Sequence, residues 1–322
     1  MLPVQKSTRQ VPLITLPDLA GRVTWTSVAE AIAEGHRRDQ PKLGDVLLEE
    51  DGNSWLTRAA RIRGLGMLTK TASVYPDNPI AGRPSIQGAA ILFDDETGTV
   101  DAFIDNDALT RVKTAADSLL GARLLARPGA SRLLIIGAGV VAGDLVRAYS
   151  DGFTLDRVQL WNRSRPRAEA LRDELARESL LVELVDDLER AVAEADLVAT
   201  ATMSRDPLVL GAWVNPGTHV DLVGAYTPAM RESDDALITR SQVFVDCRVT
   251  TESQVGDLAI PIANGVFSAD RIKGSLYPLA TGKARREGED AVTVFKNGGG
   301  GHIDLMVARH LAERVLGPGG KH

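Results

Sequence analysis

Arg132–Tyr149 reads RLLIIGAGVVAGDLVRAY. Leu133, Leu134, Ile135 and Ile136 form a short apolar run that stops at Gly137-Ala138-Gly139. Helix-compatible residues follow, with Ala142 and Gly143 in the first turn. The stretch predicts a buried strand, a tight glycine turn and a helix start. Gly137 allows the turn, Gly139 has no side chain to keep a pyrophosphate off the backbone, and Ala142 lets the helix approach the strand. The free N–H groups and positive dipole end of such a helix favour phosphate. Alone, the GxGxxA pattern leaves a dinucleotide cradle and a ligand-free turn both open.

The flanking chain favours the cradle. Downstream, Arg157–Trp161 reads as a strand and Ser164–Arg177 as a helix with Ser164 as its cap. Leu180–Val185 is a strand, and Asp186 with Glu189 three residues on forms a capping box for a helix to about Ala195. Leu197–Thr202, Thr218–Val223 and Val243–Val245 are further strands. This alternation predicts a parallel sheet with helices on both faces. Upstream, residues 42–112 carry short apolar runs separated by Asp51-Gly52-Asn53, Asp77-Asn78-Pro79, Gly82-Arg83-Pro84 and a hairpin loop at Asp94–Gly98. They predict a mostly antiparallel sheet. A leading segment ends in a helix capped by Thr26 or Ser27. A second helix starts near Thr114 and stops at Pro128-Gly129. A last one, Ile303–Val315, follows the run Asn297-Gly298-Gly299-Gly300-Gly301.

The 322 residues suit two domains. With 44% hydrophobic and 25% charged residues the composition is that of an ordinary globular protein. No run of about 18 apolar residues marks a membrane span, and the N-terminus has no apolar core of a signal peptide. Cys247 is the single cysteine, which excludes an internal disulfide and fits a reducing compartment. A net charge of −6 with interspersed signs shows no basic patch for nucleic acid. A cytoplasmic protein with a small-molecule partner is expected. His36, His219, His310 and His322 have no metal-ligand spacing, and there is neither a GxSxG elbow nor a Walker A motif.

The second strand of the expected parallel sheet ends in Leu160-Trp161-Asn162-Arg163-Ser164-Arg165. An acid at that point would accept from the 2′-OH of an adenine ribose and select NAD, and none is present. Arg163 and Arg165, with Asn162 and Ser164, supply guanidinium, amide and hydroxyl groups suited to a 2′-phosphate. Arginine at a helix start opposes the helix dipole, so its placement there calls for an anion. NADP(H) is the expected cofactor. Arg58, Lys70 and Lys113 lie in apolar or small-residue settings and are candidates to clamp a substrate carboxylate. His302, two residues before Asp304, is a candidate proton donor.

Several strings together resemble the ornithine cyclodeaminase/μ-crystallin family. They are Lys70-Thr71-Ala72-Ser73, Lys113-Thr114-Ala115-Ala116-Asp117-Ser118, Gly137-Ala138-Gly139, Trp161-Asn162-Arg163-Ser164, Val223-Gly224-Ala225, Phe244-Val245-Asp246 and Thr293-Val294-Phe295-Lys296. The resemblance implies an α/β chain whose doubly wound Rossmann sheet, residues 117–299, is inserted in a second α+β domain. That second domain, 1–116 plus 300–322, would carry substrate and dimer contacts on an open, barrel-like sheet, giving a homodimer. Members transfer hydride between a nicotinamide and the α-carbon of an amino or imino acid. Lys70 matches the family's lysine near the substrate carboxylate. Lys113 stands where many members have arginine, keeping the charge without the bidentate fork, and Arg58 is the compensating clamp. Ornithine cyclodeaminases carry an aspartate where this chain has Tyr226. The run Val223–Glu232 resembles bacterial reductases of Δ1-pyrroline-2-carboxylate and Δ1-piperideine-2-carboxylate. The implied activity is NADPH-dependent reduction of such a cyclic imino acid to L-proline or L-pipecolate. Ornithine cyclodeamination, amino-acid dehydrogenation and non-catalytic binding are the alternatives. The expected catalytic residues are Lys70, His302 and Asp304. Arg58, Lys70, Lys113 and Tyr226 bind substrate. Gly137, Ala138, Gly139, Val140, Val141, Asn162, Arg163, Ser164, Arg165, Thr202, Met203, Val223 and Lys296 bind the cofactor, and no metal is expected.

Overall fold

A computed structural model describes residues 10–317. Residues 1–9 of the leading segment and 318–322 at the end of the expected first domain, His322 included, lie outside them. In chain order the first part runs β1 (Leu13–Ile14), α1 (Trp25–Gly35), β2 (Lys42–Glu50), β3 (Asn53–Ile62), β4 (Gly66–Val74), β5 (Ile86–Phe93), β6 (Val100–Asp105) and α2 (Asn106–Leu125). Then follow β7 (Arg132–Ile136), α3 (Val140–Gly152), β8 (Arg157–Trp161), α4 (Arg165–Arg177), β9 (Glu183–Leu184), α5 (Leu188–Glu194), β10 (Leu197–Thr200) and β11 (His219–Leu222). The chain closes with α6 (Asp235–Arg240), β12 (Gln242–Val245), α7 (Arg248–Thr251), α8 (Gly256–Ala263), α9 (Leu276–Ala280), β13 (Thr293–Lys296) and α10 (Gly301–Leu316).

Two compact units result. The first holds 10–23, Asp39–Thr110 and 304–317, the second Thr24–Arg38 and Arg111–Ile303. The first unit is a six-stranded sheet in the order β1-β6-β5-β4-β3-β2, antiparallel except where β1 meets β6. Asp51 and Gly52 join β2 to β3 with φ of 50° and 78°, the paired positive φ that a two-residue type I′ hairpin needs. The expected hairpin at Asp94–Gly98 joins β5 to β6. There Asp94 Oδ1 accepts from the N–H groups of Glu96 (3.1 Å) and Thr97 (2.8 Å). In register, Ala60, Leu68, Leu92 and Ala102 form a buried row across four strands. Arg309 of α10 fastens that helix to the sheet by donating to the carbonyls of Leu65 and Phe93 and pairing with Asp101 at 2.9 Å.

The second unit is a seven-stranded, all-parallel sheet in the order β12-β13-β11-β10-β7-β8-β9. Every residue of β10, β11 and β13 is buried, as are Leu133–Ile136. Strands covered on both faces read as unbroken apolar runs, which is why β7 was legible. Each buried Val, Leu, Ile or Phe side chain among them contributes about 1.5–3 kcal/mol by leaving water. The chain leaves β7 toward β8 on one side and returns through β10 on the other. The crevice at the carboxyl ends of β7 and β10 is therefore the topological switch point.

Several local expectations need correction. The cap of α1 is Thr24, whose hydroxyl accepts from Ser27 N at 3.1 Å while Ser27 Oγ accepts from Thr24 N at 3.2 Å. The cap of α5 is Asp187, which accepts from Arg190 N at 3.0 Å, because Asp186 is drawn to Arg165. Helix α2 begins at Asn106, eight residues before Thr114, since Asp105 Oδ1 caps Ala108 N at 3.0 Å. Strand β9 shrinks to Glu183–Leu184. Helices α6 to α9 were not foreseen. Helix α1 packs on α3 and Thr26 N donates to Asp151 at 2.7 Å, so Thr24–Arg38 joins the parallel sheet instead of the antiparallel one.

Asp196, buried just before β10, ties that strand to the start of β7. It accepts from the N–H groups of Ser131 (3.1 Å) and Arg132 (3.0 Å) and from the guanidiniums of Arg132 and Arg127. Burial opposes ionisation, but the Arg132 and Arg127 guanidiniums and the two N–H groups outweigh it and hold the carboxyl well below the usual range. A depressed value in the fold means stability that is present above the unfolded value near about 3.9 and is lost as pH falls. Asp196→Asn is expected to cost about 1–3 kcal/mol at pH 7. It should also flatten the acid side of the stability curve. Urea unfolding from pH 7 to pH 3 checks this, and an unchanged acid slope would contradict it.

Candidate active site

The carboxyl edge of the parallel sheet collects the expected dinucleotide residues. Gly137 is buried at φ 125° and donates to Trp161 O at 2.9 Å. A Cβ there would lie 2.5 Å from Ala201 O, so the turn itself requires glycine. Gly139 is different. It is exposed, has an extended backbone as N-cap of α3, and a Cβ on it would meet nothing within 4 Å. That open space over an exposed backbone is what an approaching phosphate needs. No side chain caps α3, so the N–H groups of Val140 and Val141 in its first turn are left to a ligand. Exposed apolar Val140, Met203 and Tyr226 stand at the ends of β7, β10 and β11 and offer surface to an aromatic ring. The residues present fit a nicotinamide dinucleotide.

The end of β8 is less uniform than its sequence suggests. Asn162 Nδ2 donates to Ser164 O at 2.9 Å and shapes the turn. Ser164 is the N-cap of α4 but makes no side-chain cap bond. Arg165 is held by Glu169 at 3.3 Å and Asp186 at 2.6 Å. Arg163 is exposed. Of the two arginines expected to hold a 2′-phosphate, Arg165 is already engaged by acids. Val223 is buried, and Lys296 is fully buried with Nζ donating to Leu222 O (2.9 Å) and Ala225 O (3.0 Å) and pairing with Asp257 (3.1 Å). The expected cofactor role of Lys296 is not one its ammonium can play directly. Thr202 faces a residue the sequence reading passed over. Glu232 accepts from its N and Oγ1, each at 2.7 Å.

In the antiparallel unit, Asp45, Arg58, Lys70, Ala90 and Ile104 are opposed in register across β2 to β6 and share one face. Arg58 and Lys70 are therefore directly opposed cations, an arrangement that costs energy unless anions offset it. Lys70 Nζ donates to Thr110 Oγ1 at 2.8 Å and to buried Asp304 Oδ1 at 3.3 Å. Arg58 Nε lies 3.5 Å from Asp45 and, though buried, has no hydrogen-bond acceptor. A substrate carboxylate would complete this row. The sequence reading found Arg58, Lys70 and Asp304, and missed Thr110 and Asp45, whose roles come only from the register and the early start of α2.

Lys113 and His302 belong to the parallel-sheet unit. Lys113 is buried with Nζ 3.7 Å from Asp117. Burial, then the Asp246 carboxylate, pushes Asp117 well above the usual range, against the pull of Lys113. His302 is buried, its ring 5.3 Å from His36 and stacked 6.0 Å from Tyr277. Burial lowers His36 to about 4 and raises the Tyr277 phenol. The histidine sits in a packed aromatic cluster. Among the described residues no group of three or more His, Cys, Asp or Glu side chains has the arrangement of a metal site.

This combination of a Rossmann-like parallel sheet and a second sheet has known counterparts. The model of the ornithine cyclodeaminase/mu-crystallin family matches residues 39–319, and the chain belongs to that family. It is 46% identical over 302 residues to the Δ1-pyrroline-2-carboxylate reductase of Paracoccus denitrificans, covering 93% of this chain and 96% of that one. The structure of Thermococcus litoralis Δ1-pyrroline-2-carboxylate reductase with NADH and L-proline matches with a TM-score of 0.88 at 25% identity, over 95% of this chain and 98% of that one. The iminosuccinate reductase of Paracoccus denitrificans with NAD+ matches with a TM-score of 0.86 at 27% identity, over 96% and 97%. The expected fold class, a Rossmann sheet with a second sheet domain, is that of these structures.

The two glycines of the turn separate folding from binding. Gly137→Ala is expected to cost about 1–3 kcal/mol, because it forces a positive φ on a side chain that collides with Ala201. Gly139→Ala should melt like the parent yet bind a reduced nicotinamide dinucleotide at least tenfold more weakly. Thermal melts and fluorescence titration check both, and unchanged affinity in Gly139→Ala would remove the cradle assignment.

Proposed function

We propose that the chain reduces a cyclic ketimine carboxylate, Δ1-pyrroline-2-carboxylate or its six-membered homologue Δ1-piperideine-2-carboxylate, to L-proline or L-pipecolate with NADPH. The observation that carries the reading is the opposed pair Arg58 and Lys70, with a buried Arg58 Nε that has no acceptor. The 46% identity to a Δ1-pyrroline-2-carboxylate reductase supports it. When bound, the reduced nicotinamide supplies the hydride. Lys70 and Arg58 hold the substrate carboxylate and fix the orientation of C2. Asp304 and Thr110 hold the Lys70 ammonium in place. The ring nitrogen of the substrate carries its proton before the hydride arrives, so addition at C2 gives the secondary amine and no ammonia leaves. Tyr226 occupies the place at which a cyclodeaminase needs an acid. No step is assigned to His302, whose ring is packed against His36 and Tyr277.

We assign the preference for the 2′-phosphate to Arg163, with Asn162 and Ser164 shaping its turn. Arg165 serves mainly to hold Glu169 and Asp186. We also assign the outer face of the antiparallel sheet to a second copy of this chain. Leu13, Val46, Leu48 and Phe103 are exposed there, beside Trp55, Ile91 and the hydroxyls of Thr57, Thr69 and Thr71. The middle of that face is apolar and hydroxyl-bearing, with Lys42 and Arg61 at one end and Glu50 at the other, and a twofold partner would set the same patch against itself. Leu48→Asp should sediment as a monomer, and an unchanged species would place the contact elsewhere.

One set of steady-state assays tests the activity. Purified protein should oxidise NADPH with the five- and six-membered cyclic imino acids and not release ammonia from ornithine. Lys70→Met should lower kcat/KM for the imine about 10²-fold, the loss of a charge-assisted bond, and leave NADPH affinity unchanged. Arg163→Ala should weaken NADPH at least tenfold more than NADH. Ammonia from ornithine without imine-dependent NADPH oxidation would overturn the substrate assignment. Equal losses for both cofactors would overturn the 2′-phosphate assignment.

A further inference from the structure

Parallel strands that stop at one edge leave backbone N–H groups with no next strand to accept them. At the ends of β10 and β11 a single buried side chain gathers these donors. Glu232 Oε1 accepts from Thr202 N and Thr202 Oγ1, each at 2.7 Å. Glu232 Oε2 accepts from Thr200 Oγ1 (2.8 Å), Gly224 N (2.7 Å) and Ala225 N (3.2 Å). The carboxylate thus bridges both strand ends. Gly224 sits so close to Thr202 that a Cβ on it would collide with the backbone N and O of that residue. Glu232 is itself held, because its N–H donates to Asp257 Oδ1 at 2.7 Å. Asp257 Oδ2 pairs with Lys296 at 3.1 Å, and Lys296 returns to the carbonyls of Leu222 at the end of β11 and of Ala225 just beyond it. Glu232, Asp257 and Lys296 are each fully buried. Burial and the Asp257 carboxylate push Glu232 up, while Lys296, Thr202 and Thr200 pull it back.

We propose that Glu232 is a positioning residue for hydride transfer. Its carboxylate locks Thr202 and Gly224-Ala225 into one rigid floor under the nicotinamide end of the cofactor, with Lys296 and Asp257 as its brace. The inference rests on reading the carboxyl edge as the cofactor bed. The pyrophosphate end is held elsewhere, at the β7–α3 turn, so loosening the floor should spare affinity and damage the reaction. A displacement of about 1 Å at a reacting centre costs on the order of 10²-fold in rate.

The test compares Glu232→Gln and Thr200→Val with the parent. Gln keeps the shape but cannot accept from all five donors. Thr200→Val removes one donor inside β10 and serves if Glu232→Gln does not fold. NADPH dissociation constants, kcat and KM with Δ1-pyrroline-2-carboxylate, and the primary isotope effect with 4-deuterated NADPH of each face are measured per folded molecule. Expected for Glu232→Gln are a kcat lowered about 30-fold or more, an NADPH Kd within threefold, and a larger isotope effect as hydride transfer becomes limiting. Thr200→Val should show the same pattern at about threefold to tenfold. Parent-like kcat in the folded variants, or a rise in NADPH Kd with kcat unchanged, would overturn the proposal. If the parent neither binds NADPH nor reduces the imine, the functional reading falls first and this inference falls with it.

Discussion

Backbone donors at the carboxyl edge of the parallel sheet have to find acceptors, and the arrangement of the site follows from which of them do. Within the sheet the ladder continues past each strand: Ala201 N donates to Ile136 O, Val223 N to Thr200 O and Asn297 N to Leu222 O. Beyond that, the protein supplies its own anions at two places. Glu232 gathers Thr202, Gly224 and Ala225. Asp246 accepts from Gly298 N at 2.9 Å and from Gly299 N. At the start of α3 no side chain does the same. Helices α1, α5 and α6 are capped by Thr24, Asp187 and Asp234, whereas α3, like α4, α7, α8 and α9, has no side-chain cap, so the missing cap gains meaning at α3 only beside the exposed backbone of Gly139. Buried carboxylates thus fill part of this edge, and the N–H groups at the start of α3 are left without a side-chain acceptor.

The antiparallel sheet solves the reverse problem. Arg58 and Lys70 are opposed on one face, and the fold offsets only part of their charge. Asp304 and Thr110 fix the Lys70 ammonium, which removes rotamer freedom that a substrate would otherwise have to quench. Arg58 is left with a distant Asp45 and an Nε that has no acceptor. A buried donor without an acceptor costs about 1–3 kcal/mol. In the function proposed above, a substrate carboxylate that satisfies this donor would recover that cost on binding.

What was legible in the sequence follows from where burial is two-sided. Strands β7 and β10 are covered on both faces and read as apolar runs, and the glycine turn marked the switch point between them, whereas β13, Thr293–Lys296, carries polar residues at both ends and was not legible as a strand. Strand β2 is exposed at every residue from Lys42 to Glu50, so no alternation of buried and exposed positions marks its length in the sequence. The start of α2 was hidden because Asp105 ends β6 and caps the helix at once, leaving no turn residues between them. The motif residues Lys70, Gly137 and Arg163 were legible as types in a pattern. Glu232, Thr110 and Asp45 were not, since their roles exist only once distant backbone is brought to them.

Lys296 and Arg165 show the converse limit. Both carry the right charge in the right string, and in both the fold spends that charge internally. Lys296 has three partners within 3.1 Å and no exposed surface. Arg165 lies between Glu169 and Asp186. A cation can serve a ligand only to the extent that its own neighbours leave it unsatisfied. By that criterion Arg163 and Arg58 are the cations on which the proposed function rests. Lys296 acts one step removed, by holding Asp257 and the end of β11 against the carboxylate of Glu232.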